Sequence, residues 1–139
     1  MSGFAQRRSA PTYERVSFRA TIVTLAALPY VVPMTAPDPV LDKFRTAITA
    51  LYGPRIERIV LYGSRARGDA RPDSDYDIAV FLRDLAANRW QDIRRITDIE
   101  LAILDETDAI VHAMPYPAGS WRDPSFPLMY EIRKDGLDL

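Results

Sequence analysis

Residues 59–62 (Ile-Val-Leu-Tyr) end one apolar run, and residues 78–82 (Ile-Ala-Val-Phe-Leu) begin another. Between them lies Gly-Ser-Arg-Ala-Arg-Gly-Asp-Ala-Arg-Pro-Asp-Ser-Asp-Tyr-Asp, residues 63–77. This arrangement constrains the fold more than any other stretch. Two strands must meet at a turn rich in Gly and Arg that finishes in two carboxylates, Asp75 and Asp77. Gly63 lets a backbone come close to a phosphate, and Ser64 adds a hydroxyl donor. Arg65 and Arg67 offer cations to the same phosphates. Side chains alternate along a strand, so Asp75 and Asp77 share a face and repel each other unless a divalent cation lies between them. The plainer alternative is a solvated basic turn entering an edge strand, for which Asp-Ser-Asp is ordinary turn composition.

Composition narrows the chemistry. The sequence has no cysteine and one histidine, His112, which excludes disulfides, thiolate metal sites and histidine-rich zinc sites. Hard oxygen donors remain, and they suit Mg²⁺ or Mn²⁺. A net charge of −1 excludes bulk nucleic-acid binding, which needs a broad excess of cations to displace counterions. Hydrophobic and charged fractions of 47% and 27% are those of a globular domain, neither a membrane-embedded nor a disordered chain.

Residues 1–33 read differently from the rest. Arg7, Arg8, Arg15 and Arg19 precede an apolar stretch that Pro29 and Pro33 interrupt, too short to span a bilayer. Because Met34 stands directly before a well-formed domain start, 1–33 is expected to be a disordered or weakly ordered extension, and 34–139 the folded domain. Asp38-Pro39 predicts a helix start, with Leu41, Phe44, Ile48 and Leu51 on its apolar stripe and Gly53-Pro54 as its end. Strands are expected at 56–62 and 75–82. Asn88 is expected to cap a helix carrying Trp90, Ile93, Ile96, Ile99 and Ile103 on one stripe. A third strand is expected at 107–113, a loop at 114–123, and a last helix starting at Asp123-Pro124 and stopping at Gly136. This order predicts an α/β or α+β fold: a small mixed sheet with helices packed on one face.

The segment resembles the signature of nucleotidyltransferases of the DNA polymerase beta superfamily. That signature is an apolar residue, Gly-Ser, about ten residues, then Asp-apolar-Asp. Here it reads Tyr62-Gly63-Ser64, ten residues, then Asp75-Tyr76-Asp77-Ile78. Gly-Ser-Arg-Ala-Arg-Gly followed by Ser-Asp-Tyr-Asp is similar to the minimal nucleotidyltransferase (MNT) subfamily. The resemblance implies a nucleotidyltransferase fold, ATP as substrate and two Mg²⁺ ions. Catalytic and metal roles would fall to Asp75, Asp77 and a third carboxylate on a later strand. Asp108 is the expected match, with Asp105 and Glu106 as competitors and with Thr107 where the family usually has an apolar residue. Gly63, Ser64, Arg65 and Arg67 would bind the nucleotide. Along the strand expected there, Ile110 and His112 share a face with Asp108; His112 either lines the substrate pocket or is an ordinary packed or partly exposed histidine, and the second is expected. Tyr116, Trp121 and Phe126 either stack on a base or pack in the core.

Only 106 residues follow position 33, little more than a catalytic core, so the acceptor is expected on another protein. The resemblance implies that partner is a HEPN-type toxin, AMPylated on tyrosine by a cytoplasmic antitoxin with no membrane association. Two alternatives stay open: an antitoxin that neutralises by binding alone, and an enzyme acting on an aminoglycoside-like small molecule.

Overall fold

The structure, a computed structural model, describes residues 37–139, so the extension expected over 1–33 lies outside the described residues. Asp38 caps the first helix as its sequence demands: its carboxylate accepts the N–H groups of Val40 at 2.9 Å and Leu41 at 3.4 Å, with Pro39 next in the chain. Helix α1 runs Pro39–Tyr52 and stops at Gly53, where φ is +47°. Its buried stripe is Phe44, Ile48 and Tyr52, whereas Leu51, expected on that stripe, is 39% exposed. Tyr52 takes the inward place and donates its hydroxyl to the Asp92 carbonyl at 3.2 Å.

Strand β1 (Ile56–Tyr62), helix α2 (Gly63–Arg67) and strand β2 (Tyr76–Leu82) follow. Asn88 then caps α3 (Arg89–Thr107) by accepting the Gln91 N–H, as expected. Strand β3 (Val111–Pro117), helix α4 (Pro127–Asp135) and strand β4 (Leu137–Asp138) complete a mixed four-stranded sheet in the order β3-β2-β1-β4. β1 lies antiparallel to β2 and β4, and β3 lies parallel to β2.

Three expectations are corrected. The third strand does not begin at Thr107 but at Val111, and it continues through Pro115 and Pro117, which were expected to lie in a loop. Proline is tolerated there because β3 is an edge strand. The Ala113 N–H turns away from β2 and is accepted by the Glu100 carboxylate at 2.6 Å, so by alternation Pro115 and Pro117 forgo no bond to β2. The last helix starts at Pro127, not at Asp123, because the Asp123 carboxylate is engaged in a local turn with the N–H and hydroxyl of Ser125. Trp90 is 77% exposed, and Asp92 is the buried residue of that turn of α3, held by the Arg55 guanidinium at 3.0 Å.

Helices α1 and α3 cover one face of the sheet, packing Phe44, Ile48, Ile96 and Ile103 against the layer that holds Ile78 and Val80. The single-face expectation leaves out α4, which sets Met129 and Ile132 on the opposite face against Val60, Ala79 and Phe81. The central strands are apolar on both sides, so both faces need cover. Where α4 turns into β4, a β-carbon added to Gly136 would collide with the Ile132 carbonyl oxygen and lie 2.6 Å from Val60 Cγ1. Gly136→Ala should therefore destabilise the domain by about 1–3 kcal/mol, seen as a lower midpoint in denaturant unfolding.

Candidate functional site

The register across the sheet assembles the site. Tyr62 at the end of β1 pairs with Asp77 on β2, and Asp77 pairs with His112 on β3. Asp77 alternates with Tyr76 and Ile78, which belong to the α1–α3 layer, and shares its face with Ala79 and Phe81 beneath α4. Residues 63–67, expected as part of an irregular turn, form the short helix α2. That helix closes on Gly68 at φ +79°, whose N–H bonds the Ser64 carbonyl.

Gly63 is needed here for two physical reasons. Its φ is +74°, and a β-carbon on it would lie 2.7 Å from Oδ2 of Asp77. The first residue of α2 and the carboxylate are therefore packed as one unit. Ser64, half-buried, follows at once.

Burial pushes the Asp77 carboxyl above the usual carboxylate range; Asp75 adds to that rise, while His112 and Arg67 oppose it. Asp75 lies one residue before β2, which begins at Tyr76 and not at 75 as expected, and it reaches the same side: its Oδ2 lies 3.2 Å from His112 Nε2. Burial, with Tyr116 and Asp77 adding, lifts the Tyr62 hydroxyl to about 12, so it stays protonated at neutral pH. Arg67 is exposed and pairs with Asp69 at 3.3 Å.

Arg65 is engaged differently from the sequence expectation. Its guanidinium donates to the Ser74 carbonyl at 2.9 and 2.7 Å and to the Pro72 carbonyl at 3.2 Å. It also stacks 3.8 Å above the ring of Tyr76, whose hydroxyl donates to Asp38 at 2.9 Å. Arg65 thus ties down the loop that delivers Asp75.

Asp108 is not on a strand. It caps the C-terminus of α3 at φ +58°, its N–H bonded to the Leu104 carbonyl, and it lines a depression beside Arg65, Ser74 and Tyr76. Asp105 and Glu106 lie inside α3, and Glu106 pairs with Lys43 at 2.6 Å. The β3 residue level with Asp77 is His112, expected from sequence to be an ordinary histidine on the face of Asp108; β3 begins at Val111, four residues later than expected. Of the aromatic residues, Trp121 and Tyr116 pack beside Val60 and Phe81, and Arg58 and Arg122 lie 4.5 and 4.2 Å from the Trp121 ring centre. Phe126 is 44% exposed against Tyr116.

Among the described residues no three His, Cys, Asp or Glu side chains close into a ready-made metal cluster. The donor set nonetheless fits a divalent cation: burial and the neighbouring Asp75 raise the cost of ionising Asp77, and a cation held there would remove that cost. Among the described residues no helix is long and apolar enough to cross a membrane.

A protein of Methanocaldococcus jannaschii, named as a candidate protein adenylyltransferase, is 28% identical over 46 residues, 33% of this chain. The chain spans 46% of that relative's length. Among solved structures, a toxin–antitoxin complex with AMP-PNP aligns at 23% identity and TM-score 0.48, over 70% of this chain and 69% of the other. A tri-AMPylated Shewanella oneidensis HEPN toxin in complex with its MNT antitoxin aligns at 20% identity and TM-score 0.42, over 71% of this chain and 70% of the other. Residues 47–114, which hold the Gly-Ser turn, the carboxylate pair and His112, match the family described as Polymerase beta, Nucleotidyltransferase.

Proposed function

We propose that the chain is a magnesium-dependent nucleotidyltransferase that transfers AMP from ATP to a hydroxyl of a partner protein. The observation that supports this reading is the packing of Gly63 against Asp77, which sets the backbone that would face phosphate beside a carboxylate that would hold metal. Gly63 and Ser64 would hold the triphosphate, with Arg67, whose charge opposes the rise at Asp77, assisting. Asp75 and Asp77 would hold Mg²⁺, which when bound neutralises phosphate charge and orients the α-phosphate. The acceptor oxygen then bonds to the α-phosphorus, the bond to the bridging oxygen breaks, pyrophosphate leaves and the hydroxyl proton passes to water. The protein's share is positioning and charge rather than covalent chemistry.

For the acceptor we propose a tyrosine of a HEPN-type toxin in the cytoplasm, with the chain acting as its antitoxin. The support is the resemblance of Gly63 to Gly68 and Ser74 to Asp77 to minimal nucleotidyltransferases, together with the archaeal relative's name. A second reading, neutralisation by binding alone, gains from one observation: the β3 position level with Asp77 holds an imidazole, not a third carboxylate.

Asp77→Asn should lower label transfer from α-labelled ATP by on the order of 10²-fold or more without shifting the melting midpoint; undiminished transfer would refute the assignment. Asp108→Asn should transfer at the wild-type rate. Gly63→Ala should lose transfer and, unlike Asp77→Asn, also about 1–3 kcal/mol of stability, read in the same melts. Co-expression with the toxin should give a complex and a toxin mass increase of AMP. If Asp77→Asn still neutralises an unmodified toxin, binding alone suffices.

A further inference from the structure

We infer that His112 is the third functional group of this site, a nitrogen donor facing the carboxylate pair, and that it biases the site from Mg²⁺ toward first-row transition ions such as Mn²⁺. The inference rests on the nucleotidyltransferase reading and concerns the same site. Three observations carry it. The β2–β3 register sets His112 level with Asp77. The burial alternation of β3 turns Val111 and Ala113 into the α1–α3 layer and leaves the His112 side chain 61% exposed on the face of Asp77. His112 Nε2 already lies 3.2 Å from Asp75 Oδ2, so the imidazole reaches one carboxylate of the pair directly, although among the described residues the three side chains do not close into a ready-made cluster.

The acidic residues nearby are otherwise placed. Glu100 accepts the Ala113 N–H at 2.6 Å on the far edge of β3, and Asp108 caps α3 beside Arg65 and Ser74. The groups that the register and contacts bring together on this face are two carboxylates and one imidazole. Mg²⁺ prefers oxygen ligands and dehydrates reluctantly, whereas imidazole is a good ligand for first-row transition ions. A carboxylate at position 112 would make the set all-oxygen; the histidine does not.

The full chain, untagged and ¹⁵N-labelled, contains a single imidazole, that of His112. Titration with Zn²⁺ should move its Nε2 resonance, while Mg²⁺ at the same concentration should leave it in place. Mn²⁺ affinity, read by electron paramagnetic resonance of the free ion, should fall roughly tenfold or more in His112→Ala. His112→Asp should bind Mg²⁺ more tightly than wild type does. Because the side chain is exposed, both variants should keep the wild-type melting midpoint. An unmoved imidazole under saturating Zn²⁺, with Mn²⁺ affinity unchanged in His112→Ala, would overturn the inference and leave the nucleotidyltransferase reading standing. Absence of divalent-ion binding in wild type and His112→Asp alike would overturn both.

Discussion

The carboxylate of Asp77 occupies the space that a side chain at position 63 would need, a β-carbon there falling 2.7 Å from Oδ2. The site's geometry follows from that contact. Residue 63 must be glycine, Tyr62 must pair with Asp77, and α2 must leave β1 directly above the carboxylate. A slip of one residue between β1 and β2 would turn Asp77 into the apolar layer under α1 and α3, where Ile78 and Val80 now pack. Burial on both faces of the sheet, Ile78 on one side and Ala79 and Phe81 on the other, therefore holds the register that holds the site. The same burial raises the proton affinity of Asp77, a cost that a bound cation would remove.

The two arginines of the turn divide the labour. Arg65 spends its guanidinium on backbone carbonyls of Pro72 and Ser74 and on the face of Tyr76, and so fixes the loop that presents Asp75. Arg67 stays exposed, pairs with Asp69, and its charge opposes the rise at Asp77. One braces the loop from within; the other stands at the surface. Tyr76 extends the bracing, because its hydroxyl donates to Asp38, the residue that caps α1.

Much of this was legible in the amino-acid order, where local chemistry decides. The Asp38 and Asn88 caps and the Gly136 stop came out as read, because each depends on neighbours within a few residues. So did the shared side of Asp75 and Asp77. The illegible parts depend on tertiary position. Pro115 and Pro117 look like loop residues until β3 is known to be an edge strand. Starting that strand at Thr107 put Asp108 in the place that His112 takes, since α3 runs on to Thr107. Arg65 could not be told from Arg67 by type or spacing; only the path of the 72–74 loop separates them. Covering both sheet faces was signalled by unbroken apolar runs in β1 and β2, but which helix covers which face was not.

The most direct test of the central claim, that α2 and the carboxylate pair form one nucleotide-and-metal site, is a crystal structure of the full chain with a non-hydrolysable ATP analogue and Mn²⁺. The account predicts the triphosphate against Gly63 and Ser64 and the cation bound by Asp75 and Asp77. A nucleotide bound elsewhere, or a cation that leaves both carboxylates untouched, would contradict it.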